Sequence, residues 1–530
     1  MSWFPFAPAS DNRIKQHATP ILTRNCALEP NPLGADGKRP YILGPTPGKK
    51  YRLRFDADPV QTLGGASLTT LAGIPLETLQ GAGVDRNVRC LFARPGVRDG
   101  TLFAVAGDKL FSVSSSWAAT QIGTIDGTEP ALMDGFQTNL LIKGDAALYE
   151  YGEFVTLTTL AGDLMTTLAG ETISLLSSDS ASLQTIIDID TPPSPYTMAV
   201  LALRLVTSPR NSNVFDWSMV DNAESFPAAA FASVQFQNIE NITESGGYLW
   251  IVGANRMQPW RAVGGDDADA FDTAAANPLE VGLVTRDALA KIDQTIQWIG
   301  RDNHGGRGVF RLDGFSPVRI EHRELEIALQ DLSEDDLPGV RCFSYADGAK
   351  VYFAAALPNG ATYFHDLAFD KWHERSCGVN LHASAYGKHV VASVDGPELW
   401  TWERDQYFDD GADGPDYTQR VMRVHVPLAT TMPVDEISID GILYDQPLSG
   451  QGAAPEIMVR FSRDGGQTWS DSRLGIIRRI GGPRNGTYAA ALKLTRLGRF
   501  SAQHGMMLDI TISDPVGFAA YGVWVNENPN

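Results

Sequence analysis

Two histidine–carboxylate pairs have residue types that could hold a metal ion. His365 precedes Asp366, and His373 precedes Glu374. We predict that the pairs lie on neighbouring strands around a loop, where imidazole and carboxylate groups could form a zinc-type site. The nine histidines of the chain are scattered, so ordinary surface polar residues are the favoured interpretation. No metal ligand is therefore assigned.

An acidic run could hold a hard cation such as Ca²⁺. Its aspartates are Asp266, Asp267, Asp269 and Asp272. The run lacks the EF-hand spacing and the bidentate glutamate that completes a calcium loop, so a solvated acidic loop is favoured.

Motifs of common enzyme classes are missing from the sequence. There is no Gly-x-Ser-x-Gly, His-Glu-x-x-His or Walker loop, and no Gly-x-Gly-x-x-Gly follows a predicted strand. We therefore expect no catalytic and no cofactor-binding residue. The open enzymatic alternative is a sialidase-like glycosidase, which needs an arginine cluster for the substrate carboxylate and a Tyr/Glu pair. Arg89, Arg204 and Arg256 are available but follow no recognisable pattern.

One turn motif near the end of the chain is specific but carries no chemistry. Ser462-x-Asp464-x-Gly466-x-Thr468-Trp469 has the Asp-box pattern. Glycine tolerates the positive φ of a tight turn, and aspartate bonds back to the amides of the turn. We predict a β-hairpin in which Asp464 and Thr468 tie the turn and Trp469 packs beneath it. These five residues form the structural site predicted from the sequence.

Similar hairpin patterns recur before this motif. Each has an apolar run, a turn that contains glycine and a second run that contains an aromatic residue. The first two turn glycines, Gly107 and Gly144, are 37 residues apart. A period of about 40–50 residues is typical of propeller blades, so about six or seven blades would fit before residue 410. Helical patterns are few, and we predict them at Arg286–Gln297 and His322–Leu332.

The predicted fold is all-β with three segments. Residues 1–45 are rich in proline and form an extended N-terminal arm, which either grips a neighbouring subunit or packs on its own domain. Residues 46–410 form an irregular β-propeller. Residues 411–530 form a β-sandwich, jelly-roll-like in type, which contains the Asp-box hairpin. The boundary is placed in residues 407–416, which have the composition of a linker.

Charge is unevenly distributed along the 530 residues. The net charge is −20, yet residues 415–530 hold 11 basic and 11 acidic residues, so the first 414 carry the whole excess. This balance argues against a primary nucleic-acid binder, which needs clustered lysine and arginine. The four cysteines are widely spaced and are expected to be free thiols. We find neither a signal-peptide pattern nor an apolar run long enough for a membrane span.

The order of these features resembles a phage protein family. The arm contains Tyr41-Ile-Leu-Gly-Pro-Thr-Pro-Gly48, and Gly282-Leu-Val-Thr-Arg-Asp follows the strand pair that ends at Trp260. The last module contains Leu497-Gly-Arg-Phe500 and Ser513-Asp-Pro-Val516. This arrangement is similar to the tail hub of P22-like short-tailed bacteriophages, also called the packaged-DNA stabilisation or head-completion protein.

The resemblance implies a structural protein of the virion tail, assembled in the cytoplasm of the bacterial host. Such hubs form a sixfold ring below the portal and its adaptor, close the DNA exit channel and anchor a needle, fibres or spikes. They bear no catalytic residues and no cofactor. An acidic body would let DNA slide through the channel without specific binding, because like charge repels phosphate.

A carbohydrate-binding propeller is the remaining alternative. It would use exposed aromatic side chains such as Trp400 and Trp402, although a place in the blade core is the favoured interpretation of both.

Overall fold

The structure is a computed structural model that describes most of the chain. The described residues are 2–5, 19–30, 41–55, 86–153, 155–156, 174–175, 181–188, 190, 194–236, 238–264, 267–274, 277–302, 304–411, 414–417, 419–444, 447, 449–479 and 488–526. The chain divides into two compact units. The terminal unit is Met1–Tyr51, Gly360–Gly378 and Thr401–Asn530, and the central unit is Arg52–Asn359 and Val379–Trp400.

The central unit contains five consecutive antiparallel sheets, which we name blades 1 to 5. Blade 1 is Val88–Phe92, Leu102–Ala106, Lys109–Val113 and Ala119–Thr124; blade 2 is Leu132–Phe136, Asn139–Lys143, Leu148–Gly152 and Ser182–Thr185. Blade 3 is Pro195–Leu201, Arg204–Pro209, Val214–Trp217 and Phe231–Ser233; blade 4 is Ile239–Ser245, Tyr248–Gly253, Met257–Ala262 and Phe271–Thr273. Blade 5 is Val281–Leu283, Thr295–Asp302, Arg307–Asp313 and Ser316–Ile320, and Leu289–Ile292 also pairs with its second strand.

Further strands of the central unit continue this pattern. Arg341–Asp347 pairs with Lys350–Ala356, Leu381–Ala385 pairs with Lys388–Ala392, and the short strands Val155–Thr156 and Ser174–Leu175 form a pair of their own. The sheet that begins at Leu381–Ala385 continues through Glu398–Glu403 to Gly48–Arg54. Within the central unit, the Phe55 amide, which precedes the first blade, donates to the Pro397 carbonyl at 2.9 Å.

Neighbouring first strands contact one another. Val88–Phe92 lies against Leu132–Phe136, which contacts Pro195–Leu201, and this strand in turn contacts Ile239–Ser245. Leu381–Ala385 contacts Val88–Phe92 again. The contacts between first strands therefore lead back to the starting blade.

The terminal unit has two groups of paired strands. One is Ser2–Pro5, Cys26–Pro30, Tyr41–Pro45, Met432–Tyr444, Arg478–Arg479, Tyr488–Phe500 and Gly517–Val525. The other is Thr19–Arg24, Thr362–Asp366, Lys371–Arg375, Arg420–Val426, Glu456–Ser462, Arg473–Ile476 and Met506–Ile512. Val424 and Leu508 of the second group share one buried core with Ile439 and Val523 of the first. Strands of both groups therefore contribute to one core, whereas the β-sandwich and its jelly-roll connection stay predictions. The short strands Asp409–Gly411 and Gly414–Asp416 pair with each other, and the first also pairs with Gly48–Arg54.

The all-β class is confirmed, but the N-terminal segment differs from the prediction. Its described residues are strands of the terminal unit rather than an extended arm: Ser2–Pro5 pairs with Gly517–Val525, and Thr19–Arg24 pairs with Arg420–Val426. The terminal unit also takes in Gly360–Gly378, so the two units are not the contiguous segments 46–410 and 411–530. Pairing between strands about 400 or more residues apart leaves no local pattern in the sequence.

Helices are few among the described residues, as predicted. The α-helix Arg323–Asp331 matches the predicted segment at 322–332, and the His322 side chain accepts a hydrogen bond from the Leu325 amide at its start. Three short 3₁₀ turns are Arg98–Gly100, Asp267–Asp269 and Leu337–Gly339. The helix predicted at 286–297 is wrong, because Leu289–Ile292 and Thr295–Asp302 form a hairpin. The helices that the structure describes are too short or too polar to cross a membrane.

Candidate functional site

The Asp-box turn is tied by side chains, as its sequence predicts. Thr468 donates to the Asp464 carboxylate from both its amide, at 2.9 Å, and its hydroxyl. Ser462 Oγ donates to Asp464 Oδ1 at 2.7 Å and accepts from the Gly466 amide at 2.8 Å. These bonds, above all those from Thr468, hold the pKa of Asp464 well below its usual range. The half-buried Trp469 lies under the Arg423 guanidinium, 4.9 Å from its ring centroid, so the turn is a structural device.

The histidine pairs lie on one hairpin but do not converge. His365 pairs with Trp372 across the strands, and His373 pairs with Phe364. Directly opposed residues share a face of a sheet, and successive residues alternate, so the two imidazoles lie on opposite faces. His365 Nε2 lies 2.9 Å from Asp370 Oδ1, whereas His373 Nε2 accepts from Arg375 Nε at 3.0 Å.

The acidic run also forms no metal centre in the described chain. Asp266 lies outside the described residues, Asp267 and Asp269 bound a 3₁₀ turn, and Asp272 pairs with Arg261 at 3.5 Å. Across the described residues, no group of three or more His, Cys, Asp or Glu side chains could hold a metal ion. All four cysteines are free.

The three arginines that the sequence offered for a sialidase-like cluster serve different sheets. Arg89 is buried in blade 1, where it donates to three backbone carbonyls and to Asp145. Arg204 is buried in blade 3 and donates to the Ser218 carbonyl at 2.8 Å. Arg256 lines a cleft. Of the two tryptophans, Trp402 is buried and Trp400 is half-buried, so blade packing describes both better than a rim does.

The cleft beside Arg256, which we call the Arg256 cleft, is built from loops of blades 3, 4 and 5. Its volume is about 540 Å³. Its wall is mostly polar and comprises Gln235, Phe236, Asn238, Glu240, Ala254, Asn255, Arg256, Arg301, Asp302 and Gly305. Sequence reasoning missed this site because the residues belong to three loops that are distant in sequence. The single local signal was the Gly253-Ala-Asn-Arg256 turn of a predicted hairpin.

A second cleft, of about 430 Å³, shares Glu240 and Ala254 with the first. It is named here the Tyr196 cleft and also receives Glu129, Arg210 and Arg286. The guanidinium carbons of Arg210 and Arg286 lie 4.9 and 5.2 Å from the Tyr196 ring centroid. This cleft therefore holds an aromatic ring within about 5 Å of two cations.

Buried charge fixes the floor of the Tyr196 cleft. Arg286 Nε donates to Asp287 Oδ1 at 2.9 Å, and Arg341 reaches Asp287 Oδ2 at 3.0 Å. Arg286 also donates to the carbonyls of Pro130, at 2.9 Å, and Tyr196, at 3.2 Å. The Asp287 carboxylate thus joins Arg286 of blade 5 to the strand Arg341–Asp347, and the Arg286 guanidinium adds bonds to Tyr196 of blade 3 and to Pro130, just before blade 2.

A tyrosine–glutamate pair lies where the two clefts meet. Tyr196 OH donates to Glu240 Oε2 over a long 3.5 Å. Burial, followed by the charge of Glu240, raises the pKa of Tyr196 to about 12. A phenol nucleophile needs a lowered pKa or a well-placed base. This pair has the residue types of a sialidase nucleophile, but the pKa of the phenol is raised and its bond to the carboxylate is long.

Comparison with known families decides the relationship. The family model described as "Bacteriophage P22 Gp10, beta-propeller", of the phage stabilisation family, matches residues 68–387, more than half of the chain. This chain belongs to that family. All five blades fall within the matched residues, so the propeller prediction is confirmed and the protein is a phage structural component.

Two of the solved structures similar to this member of the phage stabilisation family are WD40 domains. The WD40 domain of Neurospora crassa Pan2 is 10% identical, with a TM-score of 0.38 over 62% of this chain and 91% of that one. The WD40 β-propeller domain of Doa1 is 11% identical, with a TM-score of 0.33 over 61% of this chain and 95% of that one. The comparison with curated proteins finds no match.

Proposed function

We propose that this protein is the tail hub of a short-tailed phage, a non-enzymatic ring that attaches below the portal and its adaptor. The observation that carries the proposal is the family match over residues 68–387, in a chain whose described residues hold no assembled catalytic constellation. The ring is expected to be hexameric, to close the DNA exit channel and to anchor a needle, fibres or spikes. It becomes part of the virion tail after assembly in the host cytoplasm.

The charge distribution supports this proposal. The acidic excess belongs to the first 414 residues, while residues 415–530 are neutral. A neutral module suits packing against another protein, and an acidic body suits a channel from which DNA must leave. Channel-lining residues that proved mainly basic in a ring structure would contradict the second point.

The mass of the purified protein in solution tests the ring. We expect six copies by native mass spectrometry and ring-shaped particles by negative-stain electron microscopy, either alone or after addition of tail-less heads that display the portal and adaptor. A protein that stays monomeric and joins no head would refute the hub. Turnover of a sialoside or another glycoside by that monomer would establish the enzymatic alternative instead.

A further inference from the structure

Four polar side chains in the Arg256 cleft have no bonding partner within the described chain. The carboxamides of Gln235, Asn238 and Asn255 and the guanidinium of Arg256 line one cavity without an internal hydrogen bond or ion pair. Their neighbours in the wall differ. Arg301 is bonded to Glu334 at 2.8 Å, and Asp302 accepts from the amides of His304 and Gly306.

The wall of the Arg256 cleft thus has two kinds of polar side chain: those bonded to other residues and the four without a bond inside the described chain. Polar side chains that fold against one another have already satisfied their hydrogen-bonding capacity, whereas these four keep theirs for a ligand. Glu240 adds a carboxylate that holds only the long bond from Tyr196, and burial raises its pKa. The cavity thus offers one unpaired cation, three amides and one weakly engaged carboxyl group.

We propose that the Arg256 cleft binds an acidic sugar. Arg256 would pair with the carboxylate of the sugar, since a guanidinium fork matches a carboxylate bidentately. The amides of Asn238, Asn255 and Gln235 both donate and accept, which suits neighbouring hydroxyl groups, and Glu240 accepts from a further hydroxyl. The volume of about 540 Å³ is that of a small-ligand site.

The wall also argues against larger anions. Nucleic acid needs several clustered cations for its phosphates, and this cavity has one free guanidinium beside two carboxylates in a chain of net charge −20. A ligand with one carboxylate on a polyhydroxylated ring suits one free guanidinium and several amides better than a polyanion does.

Sugar binding by the full-length protein tests the proposal. Glucuronic acid, N-acetylneuraminic acid and glucose are titrated separately by saturation-transfer NMR and calorimetry. We expect at least one acid to bind with a Kd near or below about 1 mM and glucose, the neutral match of glucuronic acid, at least about tenfold more weakly. No saturable binding of either acid, or equal binding of glucose, overturns the proposal.

Variants locate the site. Arg256→Gln is expected to reduce binding of the acid at least about tenfold, and Arg256→Lys, which keeps the charge without the fork, to fall in between. The matched control is Arg261→Gln, which removes an exposed arginine outside the cleft and should bind as the wild type does. Melting curves establish that each variant is folded. Wild-type affinity in a folded Arg256→Gln variant would also refute the site. Neither result depends on the hub, since a ring could form without binding a sugar.

Discussion

At the scale of single residues, two buried carboxyl groups of the central unit, Asp287 and Glu150, have pKa values shifted in opposite directions. Burial alone would raise the pKa of Asp287, but the attraction of Arg286 and then of Arg341 outweighs it, and the pKa falls. Its contribution to stability is therefore present above the ordinary aspartate pKa and is lost as the pH falls through the folded-state value.

Asp287→Asn should destabilise the protein by about 3–5 kcal/mol, because it leaves two buried guanidiniums without their shared anion. The matched control is Asp272→Asn, which breaks an exposed pair with Arg261 and should cost less than about 1 kcal/mol. Urea unfolding of both variants at neutral pH measures the difference. Equal midpoints would mean that Asp287 is not the anion that holds the two arginines.

Glu150 gives the opposite dependence on pH. It is buried and accepts a hydrogen bond from Asn139 at 2.7 Å, and burial raises its pKa from 4.5 to about 7. A carboxyl group with a raised pKa stabilises the fold fully below 4.5 and loses this contribution as the pH rises to about 7.

Glu150→Gln keeps the acceptor for Asn139 but cannot ionise. We expect it to be more stable than the wild type by about 1–3 kcal/mol at about pH 8 and close to it at about pH 5. Unfolding curves at the two values check this, with the exposed Glu280→Gln as a control that should not change. A variant that loses stability at both values would show that the ionised carboxylate is well accommodated.

At the scale of elements, local pattern predicted the hairpins and little beyond them. The turn predicted at Gly107 joins the strands Leu102–Ala106 and Lys109–Val113, and the turn predicted at Gly144 joins Asn139–Lys143 and Leu148–Gly152. Such strands can be predicted because apolar and polar residues alternate along a contiguous segment that ends at turn residues. The pairing of Leu22 with Arg423 has no local trace, and neither does the Arg256 cleft, whose walls meet only because neighbouring blades bring their loops together.

The same limit explains the helix that was wrongly predicted at 286–297. Leu289, Ile292 and Ile296 have a spacing that a helix also produces, but Asp293 takes a positive φ of 49° and turns the chain into a hairpin. A short apolar run fits both the helical period of about 3.6 residues and the strand period of about 2 residues. In this segment the chain forms a hairpin.

The Asp-box hairpin is an element whose turn depends on one carboxylate. Asp464→Asn keeps an acceptor for the Thr468 amide but loses the charge that both Thr468 bonds use, so the thermal midpoint of the terminal unit should fall by a few degrees at neutral pH. Since the pKa of Asp464 is depressed, the difference from the wild type should narrow as the pH falls below 3.8. Calorimetry at neutral pH and at a pH below 3.8 tests this. The control is Asp471→Asn, just outside the turn. A difference that does not change with pH would point to side-chain shape rather than charge.

At the scale of the whole molecule, the net charge governs the affinity of the protein for DNA. Forty-three basic residues face 63 acidic ones, and many of the arginines named above are already paired with carboxylates. Nonspecific binding to DNA comes from releasing counterions when lysine and arginine neutralise phosphates, so a chain with this balance has little to gain from contact with a duplex.

We therefore expect no saturable binding of a duplex of about 30 base pairs at about 0.15 M salt, measured by fluorescence anisotropy with the assembled protein at up to about 10 μM. Lowering the salt to about 0.05 M lengthens the range of electrostatic forces and should leave the anisotropy flat, because the dominant force is repulsion. Binding that appears at low salt and falls steeply as salt is added would reveal a basic surface on the assembly, and the acidic-channel argument would then be wrong. A flat response at both salt concentrations is the behaviour expected of a channel through which DNA slides without being held.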